Sequence, residues 1–475
     1  MQLVVAYLGR IFRACLVVLT AVVAAKYVAT LNFQGDTYTL LSDVDRLLAS
    51  VQRGKWSGWK GELALLQKLA AILVKSQGLS TDACLAVLAF INLAAFAGIL
   101  WMSWNSLERL SRRSAIVFTA IVLSGPMLWY ARSTFGEVLA AFCTMGLVVA
   151  CWEQAKSWKI FFWFVAAGIS KDTIFPFLFM LALLSTRVAR KPGGDWTVLR
   201  SRLGLLSAAC VTTVAVNVAF NYLRFSSPFN MAYLDPLYIV PRWSIQLSFF
   251  FGLLFSPNGG LLFFWPAFVL WLLLGGVCAV RSAVGQLRGL ALIPWVTIVL
   301  VLLGLTLGLS KWFAPLGWVC WGPRLVLPAL PALTYLLTVY YGSEMQLWLS
   351  KTLLRKRLAW FTGGALGLLA LPNFVVLFKP DLMLSVFRDD AVCPHVAIIQ
   401  NNAEYYYHCI NHCLWTKRSV LLDAYAQASL HGDVLYALLG SLLLACLIGT
   451  ASNRRSSPTP KLTRWAGSLE EQRKH

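Results

Sequence analysis

Acidic residues are scarce in this chain: Asp and Glu number 20 among 475 residues, against 41 Lys and Arg, and the four charged types together make up 13%. A soluble globule of this length needs a charged shell, and so small a charged fraction excludes one. Histidine is rarer still, at 5, and no His-Glu-x-x-His motif, Gly-x-Ser-x-Gly elbow or phosphate-cradling glycine loop occurs. That leaves no motif for zinc peptidase, serine hydrolase or nucleotide chemistry. The formal net charge of +21 would fit nucleic acid, but basic residues are not interleaved with aromatics on a polar face, so nucleic acid is excluded as a partner. Internal repeats are absent, and low-complexity sequence is confined to the tail 453–475, which reads as disordered and cytoplasmic.

What the chain has is apolar length. It is 59% hydrophobic, with a mean hydropathy of +0.68. A spanning helix needs about 20 apolar residues. Runs of that kind lie at 11–31, 84–104, 114–131, 135–152, 203–222, 261–280, 289–309, 325–342, 358–378 and 433–450. The stretch 158–186, interrupted by Gly168, Lys171, Asp172 and Pro176, reads as two short helices meeting at a kink. The expected fold is therefore an all-α polytopic membrane protein of about 12 transmembrane segments.

Basic loops set the orientation. Arg109, Arg112 and Arg113; Lys156 and Lys159; Arg187 to Arg202; Arg281 and Arg288; Lys351 to Arg357; and the tail from Arg454 fall on one side if both termini are cytoplasmic. Parity then requires 243–256, an aromatic segment ending in Ser256-Pro257-Asn258-Gly259-Gly260, to lie at the outer interface. Three outer loops follow, 32–82, 223–260 and 379–432. The first is expected to form amphipathic helices on the membrane surface, with Lys55, Lys60, Lys68 and Lys75 toward headgroups. Arg10 and Arg13 precede the first apolar run without a cleavage site, so that run is expected to stay as a signal anchor.

The 11 cysteines mostly lie singly in apolar runs and read as small buried groups. Cys393, Cys409 and Cys413 share an outer loop, where one disulfide among the three is expected; zinc, helped by His408 and His412, is the rival, though the spacing fits no standard site.

Five places combine charge with a membrane boundary. Asp36, in Gly35-Asp36-Thr37-Tyr38, is either a helix cap or a general base for an acceptor hydroxyl. Asp43 and Asp45 read as solvent-facing or helix-stabilising. Arg132 and Glu137 bracket an outer turn; Glu137 either stabilises a helix N-terminus or faces a cavity that takes sugar hydroxyls or a metal. Lys171 and Asp172 either pair with each other or offer a lysine to a lipid phosphate. Trp312, Trp318 and Trp321 surround a turn ending in Arg324, whose guanidinium matches phosphate oxygens with two prongs.

The order of these segments resembles the GT-C class of membrane glycosyltransferases, which take sugars from polyprenyl phosphates; protein mannosyltransferases, aminoarabinose transferases and arabinofuranosyltransferases are examples. The resemblance spans about residues 10–380 and is carried by short motifs. They are Gly35-Asp36-Thr37-Tyr38, Tyr130-Ala131-Arg132 with Phe135-Gly136-Glu137, Gly168-Ile169-Ser170-Lys171, Ser227-Pro228 with Tyr233, Leu254-Phe255-Ser256-Pro257, and above all Trp321-Gly322-Pro323-Arg324 followed by Leu327-Pro328-Ala329-Leu330-Pro331. The family's first loop often has two adjacent acids where only Asp36 stands here, so no cofactor is implied with certainty and a divalent metal stays open.

The resemblance implies a GT-C-like core over 1–378, a Cys-containing outer loop over 379–432, a last span over 433–452 and the basic tail. It implies Asp36 as catalytic base, Arg324 and Lys171 on the donor phosphate, and Glu137, Tyr38, Arg132, Trp321 and Tyr233 around sugar or acceptor. The partners would be membrane lipids, a polyprenyl-phosphate-linked sugar and a glycan, glycolipid or protein acceptor, met at the periplasmic face of a bacterial inner membrane. Rival readings are a flippase or transporter of lipid-linked sugars, an O-antigen ligase or polymerase, and a non-catalytic scaffold.

Overall fold

The structure is a computed structural model that describes residues 36–52, 65–186, 196–231, 239–286, 292–312, 314–317, 321–350, 365, 367–377, 410–415, 422 and 424. The expected first and last spans, the tail, and most of the loop 379–432 lie outside the described residues. Those described are helices joined by turns, bends and short irregular segments, apart from one antiparallel bridge between Ile239 and Trp312.

The loop 32–82, expected to lie outside, contributes α1 (Asp36–Gln52) and α2 (Leu65–Lys75). The membrane helices follow: α3 (Thr81–Glu108), α4 (Arg112–Leu123), the short α5 (Met127–Ala131), α6 (Glu137–Trp152), α7 (Ser157–Ser170), α8 (Phe175–Ser185) and α9 (Trp196–Phe225). Then come α10 (Trp243–Phe255), the short α11 (Leu261–Phe264), α12 (Pro266–Gln286), α13 (Ile293–Leu309), a 3-10 turn (Arg324–Val326), α14 (Leu330–Ser350) and α15 (Gly367–Leu377). Local chemistry sets several starts. The Ser80 hydroxyl accepts from Ala83 N at the head of α3. Pro266 opens α12, and α8 and α13 carry Pro176 and Pro294 in their first turns, where the missing N–H costs nothing.

Among the described residues three helices can cross a membrane by length and composition, Thr81–Glu108, Arg200–Phe225 and Pro266–Val284, and six shorter helices are apolar. The outward faces settle the solvent. Leu270, Leu273, Val277 and Val280 form an exposed stripe on α12, and Val296, Leu300, Leu303 and Leu307 do so on α13. Apolar residues on both inner and outer faces belong in lipid. At the centre, α6 is buried on nearly every side. It packs against α3, α7, α8 and α14, and α14 in turn holds α4, α12 and α13.

Two expected spans are broken. The run 114–131 ends as a helix at Leu123, because Gly125-Pro126 forces a turn before α5. A Cβ on Gly125 would stand 2.3 Å from the Trp265 ring, so the chain passes this aromatic too closely for a side chain. The run 261–280 divides at Trp265, between α11 and α12. The kink expected within 158–186 is present as the turn 171–174 between α7 and α8.

The bundle has two distinct ends. At one, Arg109 meets Glu153 at 2.8 Å and Arg202 reaches the Ala155 carbonyl at 3.5 Å, which gathers three of the basic loops. At the other, α1 and α2 pack on the first turns of α3 through Leu41, Val44, Ala71, Val74, Cys84, Leu85 and Leu88.

Candidate active site

The turn from α5 into α6 is built on one asparagine. Asn92, buried on α3, donates from Nδ2 to the carbonyls of Ser133 at 2.7 Å and Phe135 at 2.6 Å. These bonds satisfy backbone acceptors in an otherwise apolar setting and aim the start of α6 into the bundle. Glu137, the first residue of α6, is 2% exposed there.

A buried carboxylate needs cations, and two arrive from distant parts of the chain. Lys171 Nζ, in the turn after α7, lies 3.0 Å from Glu137 Oε1, and Arg324 Nε lies 3.4 Å from the same oxygen. The Arg324 guanidinium also covers the Phe135 ring, 4.3 Å from its centre. Glycine makes that approach possible. Gly317 adopts φ +86°, and a Cβ on it would fall 2.7 Å from Arg324 Nε. The three charged groups sum to +1, an excess positive charge in a low-dielectric site.

Of the other expected site residues, Arg132 is fully buried beside this turn and reaches the Val376 carbonyl at 3.4 Å. Trp321 is fully buried rather than part of an interfacial belt. Its backbone N donates to Tyr130 Oη at 2.8 Å, and Tyr130 Oη donates to the Trp321 carbonyl at 3.1 Å. Asp36 opens α1, but its side chain and that of Tyr38 lie outside the described residues, as does Tyr233. Cys393 and Cys409 lie outside them too. Cys413 is buried, and its carbonyl accepts from Asn258 Nδ2 at 2.8 Å, which ties the third outer loop to the end of α10.

Lys171 and its neighbour diverge. Asp172 turns away from the triad, accepts from Asn230 Nδ2 at 2.6 Å, and lines a cavity of 480 Å³ between α8 and α13. The walls of this groove are apolar, from Pro176, Phe177, Leu305 and Leu309, while Asp172 and Lys311 supply charge. Gly308 lines it, and a Cβ added there would meet nothing within 4 Å. The bridge between Ile239 and Trp312, with Val240 N on the Lys311 carbonyl at 2.9 Å, closes one side.

A second charged cluster escaped the sequence reading. Lys68 does not face headgroups; it is 1% exposed, with Nζ 5.9 Å from the centre of the Phe220 ring on α9. Arg224 covers the same ring at 4.3 Å and donates to Asn221 Oδ1 at 2.6 Å. Asp43 is buried as well and pairs with Arg46 at 2.9 Å, whereas Asp45 stays exposed and meets Lys75 at 3.2 Å. Burial pulls the Lys68 ammonium down to about 8, with Asp43 opposing the shift and Arg224 adding to it. Burial raises the Asp43 carboxyl above its usual range, against the pull of Lys68 and Arg46. The three-residue spacing of Lys68, Ala71 and Val74 could have flagged it as inward.

No family model matches the chain, and no curated protein matches it. Among solved structures it is similar to the crystal structure of ArnT from Cupriavidus metallidurans bound to undecaprenyl phosphate, at 15% identity over 92% of this chain and 77% of that one, with a TM-score of 0.41. The apo state of the same protein matches at 14% identity over 93% and 77%, with a TM-score of 0.40. Likeness this remote gives no residue-by-residue correspondence.

Proposed function

We propose that this chain is an integral membrane glycosyltransferase of the GT-C type, moving a sugar from a polyprenyl-phosphate donor to an acceptor hydroxyl at the periplasmic face of the inner membrane. The observation that carries the reading is the triad of buried Glu137 and Arg324 with half-buried Lys171, with its surplus positive charge, one residue along the chain from an apolar groove. A phosphate on a long hydrocarbon chain is the ligand that uses both features: the anion meets the excess cation and the chain occupies the groove.

In this reading the prenyl chain lies between α8 and α13, and Lys171, partly exposed, turns toward the donor phosphate while Arg324 stays between it and Glu137. Asp36 takes the proton of the acceptor hydroxyl. The acceptor oxygen then forms its bond to the anomeric carbon as the bond from that carbon to the phosphate oxygen breaks, with inversion, and the polyprenyl phosphate leaves with the electron pair. Lys171 and Arg324 meet the negative charge that grows on the leaving phosphate, where fixed cations lower the barrier most. Glu137 holds both cations in place and orients the sugar with Arg132. Tyr38, Trp321 and Tyr233 complete the surroundings of sugar and acceptor, and the loop 379–432 selects the acceptor.

The test is direct. The purified full chain in detergent is titrated with undecaprenyl phosphate and then incubated with polyprenyl-phosphate pentoses and hexoses, with glycolipid and glycoprotein products read by mass spectrometry against a deletion strain. Saturable lipid binding with transfer of one sugar supports the proposal. A chain that binds no undecaprenyl phosphate, or one that moves the intact lipid-linked sugar across a vesicle without transfer, overturns it.

A further inference from the structure

The triad depends on two turns meeting, and neither turn is held by its own helix. Asn92 secures the turn that carries Phe135 and Glu137. The opposing turn, which ends at Arg324, is secured by a second asparagine far along the chain.

Asn373 lies on α15, 3% exposed. Its Oδ1 accepts from the indole Nε1 of Trp321 at 2.6 Å. Its Nδ2 donates to the Ser124 carbonyl at 2.8 Å and to the Phe264 carbonyl at 2.9 Å. Ser124 caps the C-terminus of α4 and Phe264 ends α11, so both carbonyls belong to helix ends left without an intrahelical donor. Each is where an expected span breaks. One amide therefore satisfies two broken helices and anchors the indole of a third segment.

That indole starts the turn. Trp321 packs edge-on against Phe264, with ring centres 5.0 Å apart, and Gly322 follows at φ +70°. A Cβ on Gly322 would stand 3.0 Å from the Phe264 ring, so the turn is pressed against α11. Two residues later Arg324 meets Glu137. Tyr130 links the two turns directly, since its hydroxyl bonds to both the N and the carbonyl of Trp321.

We propose that Asn373 is a positioning residue: by fixing the Trp321 indole to the ends of α4 and α11 it sets the Trp321–Arg324 turn, and so holds the Arg324 guanidinium on Glu137. Its consequence for sugar transfer rests on the function proposed above, but the clamp itself does not. The amide is matched to its place, because it needs one acceptor and two donors. A carboxylate cannot donate to the two carbonyls, and a leucine of similar size leaves all three partners unmet.

The experiment reads the accessibility of Arg324, using the full chain in detergent, phenylglyoxal as an arginine-selective probe, and mass spectrometry to score modification of Arg324. In the unaltered protein Arg324 is expected to be protected. In Asn373→Leu its modification rises at least about tenfold, matching loss of a constraint of about 1.4 kcal/mol or more. Thr338→Val serves as the control for general loosening, since it removes another buried indole bond, from Trp271 Nε1 at 3.1 Å, away from the triad. It should leave Arg324 protected.

If Asn373→Leu does not fold, Trp321→Phe removes the indole bond together with part of the ring that packs on Phe264, and should expose Arg324 in the same direction. Arg324 staying protected in the variant that folds overturns the proposal, and so does equal exposure in Thr338→Val. Donor affinity, measured with undecaprenyl phosphate on the same samples, separates the two ideas. If the unaltered chain binds no such lipid while Arg324 responds as described, the proposed function fails and the clamp stands.

Discussion

Arg324 lies 3.4 Å from Glu137, on an oxygen that Lys171 already meets at 3.0 Å. A single buried carboxylate thus gathers two cations from separate turns. The shared oxygen makes Glu137 the organising group of the site rather than a spare acid at a helix start.

Replacing that acid should be felt first in stability. Glu137→Gln leaves buried Arg324 and half-buried Lys171 without their counter-charge, and removing one partner of a buried pair costs about 3–5 kcal/mol. The thermal midpoint in detergent should fall clearly, and undecaprenyl phosphate, by resupplying negative charge, should recover part of the loss. An unchanged midpoint would mean that the triad is not held as described.

The donor phosphate is expected to depend on Arg324. Arg324→Ala should weaken undecaprenyl phosphate binding by at least about tenfold, as for loss of a charge-assisted contact. Equal affinity in a titration of the two proteins would remove this residue from the donor site.

Base catalysis can be separated from binding at Asp36. Asp36→Asn should lower transfer by about 10²–10⁴-fold while leaving lipid affinity unchanged. Turnover at the normal rate would reject Asp36 as the base.

The groove is open to a steric test at Gly308, where an added Cβ meets no protein atom within 4 Å. Gly308→Leu should fold with a thermal midpoint close to that of the parent and occupy the space between α8 and α13. Loss of undecaprenyl phosphate binding is expected, and full binding by the variant would place the prenyl chain elsewhere.

The outer helices carry a pH signature. Lys68 titrates at about 8 when folded against 10.5 when exposed, because burial disfavours its charge. Between those values the unfolded chain holds more protons, so this residue makes stability rise with pH across the window of about 8 to 10.5. Below 8 both forms are protonated and the contribution is flat. Lys68→Met should flatten the rise, read as thermal midpoints from pH 7.5 to 10.5 for parent and variant.

The order of apolar runs fixed much of the helical plan, including the kink at 171–174, because lipid requires backbone bonds to close within each segment. It misplaced the breaks at Ser124 and Trp265. Gly125-Pro126 and Pro266 mark them locally, but the carbonyls they leave open are met by Asn373, a partner far along the chain that no window of neighbouring residues contains. Lys171 with Asp172 is the same lesson in the site: side by side in sequence, they read as a pair or as one cationic element, yet the turn after α7 sends one to Glu137 and the other to the groove.

The sequence alone determined that this is a helical membrane protein and that Glu137, Lys171 and Arg324 are charges worth explaining. Those properties follow from composition and periodicity, which act locally. Only the tertiary structure decided that the three charges meet on one oxygen, that Lys68 and Asp43 turn inward, and that Asn92 and Asn373 hold the turns. A buried charge or amide must find its partners wherever the fold brings them, and distance along the chain does not limit that choice.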